Sequence, residues 1–228
     1  MENNKKIKIE KNGPYIVSGG VPLEKEFSVP DSNNDPLSWK KGEKYKTEGE
    51  YRLCRCGNSH NKPFCDGTHL KIEFDGTETA SKESYLKQAR KISGPELDLA
   101  DVPELCAGAR FCHRYGGTWE LTKKSNDPEA KKIAIEEACN CPSGRLTAID
   151  KKTGKSIEPE FNPSISIIED VPAKVSGPLW VKGGIPIESS DGSAYEKRNR
   201  QTVCRCGKSC NKPFCDGSHI ESRFNDKN

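Results

Sequence analysis

The chain is poor in apolar residues. They fill 32% of its 228 positions, and aromatic ones 7%. Even with glycine counted among them, the share stays below the roughly 45–50% usual for globular domains. One large hydrophobic core is therefore not expected, and several small cores with added staples are the better fit. No run of about 18 apolar residues occurs, so no membrane anchor is expected. The start, MENNKKIKIEKNG, has no apolar stretch of the secretory kind, so a cytoplasmic protein is expected. Charge of one sign is lacking too. The 37 basic and 34 acidic residues leave +3, too little to draw nucleic acid or an anionic membrane. Histidine is scarce, with four in the chain. That leaves little room for a Ser/His/Asp or Cys/His catalytic set, and no enzyme activity is expected.

What the chain does have is cysteine, 11 residues in clusters. Without an export signal such thiols stay reduced, and the odd count also argues against a disulfide framework. Metal or metal–sulfur binding is the leading explanation. With 20 Gly and 15 Pro, strands and turns are favoured over long helices.

Self-comparison finds a long internal repeat. CRCGNSHNKPFCDGTH (54–69) and CRCGKSCNKPFCDGSH (204–219) are identical at 13 of 16 positions, 150 residues apart. Upstream, GPYIVSGGVPLE (13–24) resembles GPLWVKGGIPIE (177–188) at an offset of 164. The first copy thus carries a 14-residue insertion, placed within the turn-rich stretch 27–44. Two copies suggest a duplicated small domain whose halves pack as a pseudo-dimer, with the chain a monomer. The expected divisions are 1–78 for the first half, 79–174 for a central segment and 175–228 for the second half. The lysine-rich start (Lys5, Lys6, Lys8, Lys11), offset by Glu2 and Glu10, reads as a solvated tail.

In the central segment Asp127 is a good N-cap. Pro128 suits the first helical position, and Ala130, Ile133, Ala134 and Ala138 form a helical apolar stripe that should stop near Asn140. A shorter helix is expected after Asp101, with Glu104 completing a capping box. Residues 79–92 read equally as helix or strand. Trp119 and Trp180 read as core anchors.

Each repeat holds the spacing C-x-C, eight residues, C, three residues, H: Cys54, Cys56, Cys65 and His69, then Cys204, Cys206, Cys215 and His219. Gly57, Pro63, Gly207 and Pro213 turn the chain so that the third thiolate returns to the pair. Asp66 and Asp216 are placed to cap a short helix presenting each histidine. Arg55 and Arg205, between ligands, are placed either to offset cluster charge or to lie on the surface. Three thiolates and one imidazole fit a structural zinc ion or a two-iron cluster. Zinc usually takes C-x₂₋₄-C knuckles, whereas a C-x-C pair suits two thiolates on one iron. His60 and Cys210 occupy one aligned position. His60 reads as a solvated loop residue and Cys210 as a spare thiol.

These two segments resemble the CDGSH motif of the NEET iron–sulfur family, the first reading CDGTH in place of CDGSH. The resemblance implies one [2Fe–2S] cluster per motif, held by the eight residues just named. It also implies a β-rich fold in which two motif-bearing halves pair. The fold expected is therefore mainly β with a small α+β insert. Exchanging one thiolate for a neutral imidazole makes the cluster less negative, so its potential should lie above the roughly −400 mV of all-Cys plant ferredoxins. Protonation of the ligating nitrogen would detach that leg, so acid-labile clusters are expected.

The central segment holds Cys106, Cys112, Cys139 and Cys141. Ferredoxin-type sequences read C-x₂-C-x₂-C and then a distant C-P; here Ala109 stands where the middle cysteine would be, and Cys141 precedes Pro142. Cys106, Cys112 and Cys141 resemble the ligands of divergent single-cluster ferredoxins, which implies a third cluster. It would be [3Fe–4S], or [4Fe–4S] with Cys139 or His113 as fourth ligand. The competing reading is cysteines packed as small hydrophobes. CAGARFCHRYGGTW, the helix and CPSGRL together resemble the centre of larger prokaryotic two-motif CDGSH proteins. The function expected is electron transfer to a redox partner or cluster transfer to an apo-acceptor. The alternatives are a structural zinc scaffold and a redox subunit of a larger enzyme.

Overall fold

The computed structural model describes residues 5–226; Glu2, counted above with the tail, lies outside them. The first half holds β1 (Lys6–Ile9), β2 (Tyr15–Ser18), β3 (Leu23–Pro30), β4 (Pro36–Tyr45), β5 (Glu50–Leu53) and the one-turn α1 (Thr68–Lys71). Then come α2 (Tyr85–Gln88), β6 (Arg90–Ser93), β7 (Leu97–Asp101), α3 (Thr118–Lys123), α4 (Pro128–Asn140), β8 (Leu146–Asp150) and β9 (Ser156–Ile157). The last stretch holds β10 (Ser164–Asp170), β11 (Val175–Lys182), β12 (Ile187–Glu188), β13 (Arg200–Val203) and α5 (Ser218–Glu221).

Two sheets repeat one plan. The first runs β12-β1-β2-β5 and the second β13-β11-β10-β3-β4. Within each, the middle pair is antiparallel, and the parallel neighbour comes from the other half. Thus β12 lies beside β1, with Ile7 opposite Ile187, and β3 lies beside β10, with Ile165 opposite Leu23. The halves have exchanged a strand. Their inward side chains (Ile7, Ile9, Val17 and Leu53 from one, Ile165, Ile167, Val181 and Val203 from the other) form a single buried cluster. A half of this size has too little apolar surface for a core of its own, and the exchange supplies it. The fold is mainly β, and the halves form a pseudo-dimer within one chain.

Two expectations are corrected. The lysine-rich start is strand, because Ile7 and Ile9 alternate with Lys6 and Lys8 and send one face inward. Its counterpart is β10, so the repeat begins one strand before Gly13 and Gly177. By sequence β10 falls within 79–174, yet it sits in the second sheet between β11 and β3. The insertion within 27–44 is a hairpin: β3 and β4 flank a turn where Asn33 N and Asp35 N donate to Asp31 Oδ1 at 2.8 and 3.0 Å.

The central segment forms a sheet in the order β6-β7-β8-β9, with α3 and α4 packed against it. Asp127 caps α4 as expected, accepting from Glu129 N at 2.8 Å and Ala130 N at 3.2 Å. Ala138 packs with Leu99, Leu146 and Ala148, and Ala134 with Leu97 and Leu121. Residues 79–92 resolve into α2 followed by β6. The helix expected after Asp101 is a single 3-10 turn, Pro103–Leu105, without a side-chain cap. The Asp101 carboxylate is drawn away by Arg145 Nε at 2.7 Å and Trp119 Nε1 at 2.9 Å. No helix among the described residues is long and apolar enough to cross a membrane.

Candidate metal centres

Each Cys/His segment is folded back onto the strand before it. Cys54 N donates to Pro63 O at 2.8 Å and Cys65 N to Arg52 O at 2.9 Å, while Leu53 bridges Phe64. The second copy repeats this, with Cys204 N to Pro213 O at 2.8 Å, Cys215 N to Thr202 O at 3.0 Å and Val203 bridging Phe214. Ser59 and Ser209 hold the turn by donating to Phe64 O and Phe214 O at 2.6 and 2.7 Å. The third cysteine therefore returns beside the C-x-C pair, and the single turn of α1 or α5 brings the histidine to it.

The donors come in twos. Cys54 Sγ lies 3.8 Å from Cys56 Sγ, and Cys65 Sγ lies 3.4 Å from His69 Nδ1. In the second copy the separations are 3.6 Å for Cys204 and Cys206 and 3.4 Å for Cys215 and His219 Nδ1. Two thiolates on one tetrahedral metal, with bonds of about 2.3 Å, stand about 3.8 Å apart; a thiolate and an imidazole stand about 3.5 Å apart. Each pair is spaced as two ligands of one metal. Among the described residues, no three His, Cys, Asp or Glu side chains converge on a single ion. Two pairs per loop fit a two-metal core.

The loops also favour negative charge. The hydrogen bond within each C-x-C pair favours ionisation of Cys54 over Cys56 and of Cys204 over Cys206, and backbone N–H groups of Ser59 and Gly57, or Ser209 and Gly207, add to it against burial. Such a nest of N–H groups suits thiolate ligands. Burial pushes the Cys65 and Cys215 thiols up.

Arg55 and Arg205 are buried, which rules out the surface reading. Arg55 donates to Glu10 O at 3.3 Å and to Gly76 O. Arg205 donates to Gly177 O at 2.7 Å and Ile168 O at 3.3 Å, and pairs with Glu169 and Asp226. Among the described residues no carboxylate pairs with Arg55. Arg205 is ion-paired, whereas Arg55 bonds backbone carbonyls and has Asp75 only at longer range. Asp66 and Asp216 are not the helix caps, because Gly67 and Gly217 take that position with φ of 85° and 92°. The carboxylates brace the loop instead: Asp66 accepts from His60 N and Thr68 N, and Asp216 from Cys210 N and Ser218 N. His60 and Cys210 are exposed.

The two loops meet back to back. A Cβ on Gly57 would lie 2.4 Å from Cys206 O, and one on Gly207 would lie 2.4 Å from Cys56 O. Residue i meets j and j meets i, the signature of a two-fold contact. Tyr15 crosses the axis, donating to Cys204 O at 2.7 Å and Pro213 O at 3.1 Å. Its counterpart in the repeat is Leu179, which has no hydroxyl.

The central segment brings Cys106, Cys112 and Cys141 to one hollow, with Gly108, Pro142 and Arg145. Burial, with Cys141 and Cys106 nearby, pushes the Cys112 thiol up to about 12. Neither expected fourth ligand reaches the hollow. Cys139 is still on α4 and directs its thiol to Ile157 O at 3.7 Å, whereas Cys141 follows the last helical turn on extended backbone. His113 is exposed.

The central segment sits mainly on the second half, and Trp39 of the first half reaches across to it. Arg200, 1% exposed, donates to Glu158 at 2.8 and 3.0 Å, to Ala138 O at 2.7 Å and to Cys141 O at the end of α4. Arg198 donates to Ser143 O at 3.3 Å and to Gly144 O. Trp39, on the hairpin of the first half, stacks near Phe111 and Trp180 with centroids 4.7 and 5.0 Å away and donates to Asn140 O at 3.1 Å. Arg110 pairs with Asp170 at 2.8 Å beside the second site. As a result His219 is 2% exposed and Cys215 1%, while His69 and Cys65 keep partial exposure. Burial pushes the His219 imidazole down to about 4. Sequence reasoning missed Arg198, Arg200 and Trp39. The signal was available in the repeat, where Glu48 and Glu50 stand at the positions of Arg198 and Arg200.

Residues 12–70 and 176–220 match the family described as iron-binding zinc finger of the CDGSH type. Residues 92–151, between them, match the family described as divergent 4Fe-4S mono-cluster. No curated protein matches the chain.

Proposed function

Because the chain belongs to the CDGSH iron–sulfur family at both ends and carries the divergent 4Fe-4S segment between them, we propose that it is an electron carrier with two [2Fe–2S] clusters and a third cluster in the insert. The two-plus-two spacing of the donors in both loops carries this reading. A bound cluster supplies a one-electron redox centre; everything else is the work of the chain. Cys54, Cys56, Cys65 and His69 would hold the first, and Cys204, Cys206, Cys215 and His219 the second. Three thiolates and one neutral imidazole per loop leave less negative charge than four thiolates, which favours the reduced state. Cys106, Cys112 and Cys141 would hold the third. With Cys139 and His113 turned away, three protein ligands suit [3Fe–4S], or [4Fe–4S] with a fourth ligand that is not a protein side chain. The partly exposed first site is the one from which a cluster could pass to an apo-acceptor. Eleven free cysteines suit a reducing compartment.

The test is protein purified without oxygen. It should be red-brown, with visible absorption that bleaches on reduction and with acid-labile sulfide in step with iron. Colourless protein holding stoichiometric zinc would establish the scaffold instead. An EPR signal from the oxidised form would identify a three-iron centre.

A further inference from the structure

The two CDGSH loops are alike in sequence but not in their surroundings. At the second, the central cysteine loop is seated on α5. A Cβ on Gly217 would lie 3.4 Å from Cys106 O, and one on Gly108 would lie 2.4 Å from Ile220 Cδ1. Gly108, at φ 67°, presents bare backbone to that isoleucine. At the first loop the matching surface is naked. Gly67, the counterpart of Gly217, has nothing within 4 Å of where its Cβ would be. Leu70, the counterpart of Ile220, is 75% exposed, and Ile72 next to it is 45% exposed. Both follow His69, a proposed cluster ligand, and Lys71 between them is exposed.

What singles this spot out is its counterpart, since Ile220 at the place of Leu70 is covered by the central loop. The chain itself displays the kind of group that fits this surface. On the equivalent face of the other half, the seated group is a cysteine-bearing loop that offers a bare glycine to the apolar side chain. The chain's own loop is already engaged there, so it does not serve the first site. We infer that the face formed by Gly67, Leu70, Lys71 and Ile72 docks a separate iron–sulfur protein through a glycine-containing cysteine loop around its cluster. The inference rests on the first site holding a cluster as proposed above. The second site faces inward to the central cysteines, and the first is the port to other proteins. In the exchange the partner's cluster is oxidised by one electron and the first site is reduced by one. No bond is made or broken and no proton moves.

The probe is a reduced plant-type [2Fe–2S] ferredoxin, whose C-x₄-C loop surrounds its cluster and whose low potential makes it the donor. It is mixed anaerobically with the oxidised full-length protein, and the second-order rate of electron transfer is followed by absorbance. Leu70→Asp and, separately, Ile72→Asp should each slow transfer by tenfold or more, as a charge at the centre of an interface does. Leu86→Asp, at an equally exposed leucine on α2 (64% exposed), should leave it unchanged. Carbodiimide should cross-link Lys71 to a ferredoxin carboxylate in the wild type and not in Leu70→Asp. Unchanged rates in both variants, or cross-links that avoid Lys71, would overturn the docking face. Iron content and the spectral shift of His69→Cys are read in parallel. If these show no cluster at the first site, the proposed function has failed; if they show one and the rates do not respond, only the docking face has failed.

Discussion

Arg200 decides which half the central segment covers, and replacing it tests that dependence. Its guanidinium is fully buried and forms a two-pronged pair with Glu158 at 2.8 and 3.0 Å. It also satisfies carbonyls at the end of α4, Ala138 O at 2.7 Å and Cys141 O. Removing one member of a buried pair costs about 3–5 kcal/mol. Glu158 keeps partial exposure, 27% of its side chain, and regains some hydration. The lower end, about 3 kcal/mol, is the better figure for Arg200→Met. At about 1.4 kcal/mol per tenfold, that raises local opening of the interface by roughly a hundredfold. Opening bares the second site and the central hollow but not the first site, whose matching residue is the exposed Glu50. Cluster loss to an iron chelator, followed anaerobically by visible absorbance, should be biphasic in the wild type, fast for the first site and slow for the second. Arg200→Met should speed the slow phase by roughly a hundredfold and leave the fast phase alone, and Glu50→Gln should change neither. A slow phase that does not move, or two phases that move together, refutes this account of the asymmetry.

Gly57→Ala and Gly207→Ala each place a methyl group 2.4 Å from a carbonyl of the other loop, at φ of 79° and 75°. Each should cost about 2–4 kcal/mol in urea unfolding and weaken both CDGSH clusters, not just its own. Arg205 is ion-paired with Glu169 and Asp226, whereas among the described residues Arg55 makes no ion pair, so redox titration should find the first site at the higher potential. Arg55→Met should lower it by tens of mV, at about 60 mV per 1.4 kcal/mol. His69→Cys should lower the potential of its site and slow its acid loss, and an unchanged decay rate would count against the histidine leg. Cys106→Ala, Cys112→Ala and Cys141→Ala should each reduce bound iron, while Cys139→Ala should not. Burial raises Glu137 to about 7, against opposing contacts from Thr118 and Arg114. The folded state then holds a proton that the unfolded state has released, so stability is full below about pH 4.5 and falls as pH rises through 7. The loss is on the order of 3 kcal/mol; Glu137→Gln should flatten this slope in urea titrations at pH 5 and 8.

The two Cys/His sets stood out in sequence because the repeat prints the same residue types at the same spacing twice, and the fold brings the members of each set together. α4 was legible because Asp127, Pro128 and the alanine stripe agree with one another. The strand exchange was not, since the partners of β3 and β12 lie some 140 or more residues away in sequence. Ile7 and Ile9 were obscured by the lysines between them, although their alternation is the strand signal. Cys139 and Cys141 are two residues apart in sequence, yet the first is still on α4 with its thiol toward Ile157 O and the second follows the helix on extended backbone, a split that spacing does not show. The hairpin at 27–44 was hidden by its turn formers, which occupy only its tip, while Trp39 beyond them anchors the central segment.

The central claim is that each CDGSH loop holds a two-iron core on two pairs of donors. Iron-anomalous diffraction from crystals grown without oxygen reads it directly. The account predicts two resolved iron positions in each loop, one beside Cys54 and Cys56 or Cys204 and Cys206, the other beside Cys65 and His69 or Cys215 and His219. A lone peak at each loop, a zinc edge in place of the iron edge, or sulfur–sulfur bonds with no metal would contradict it.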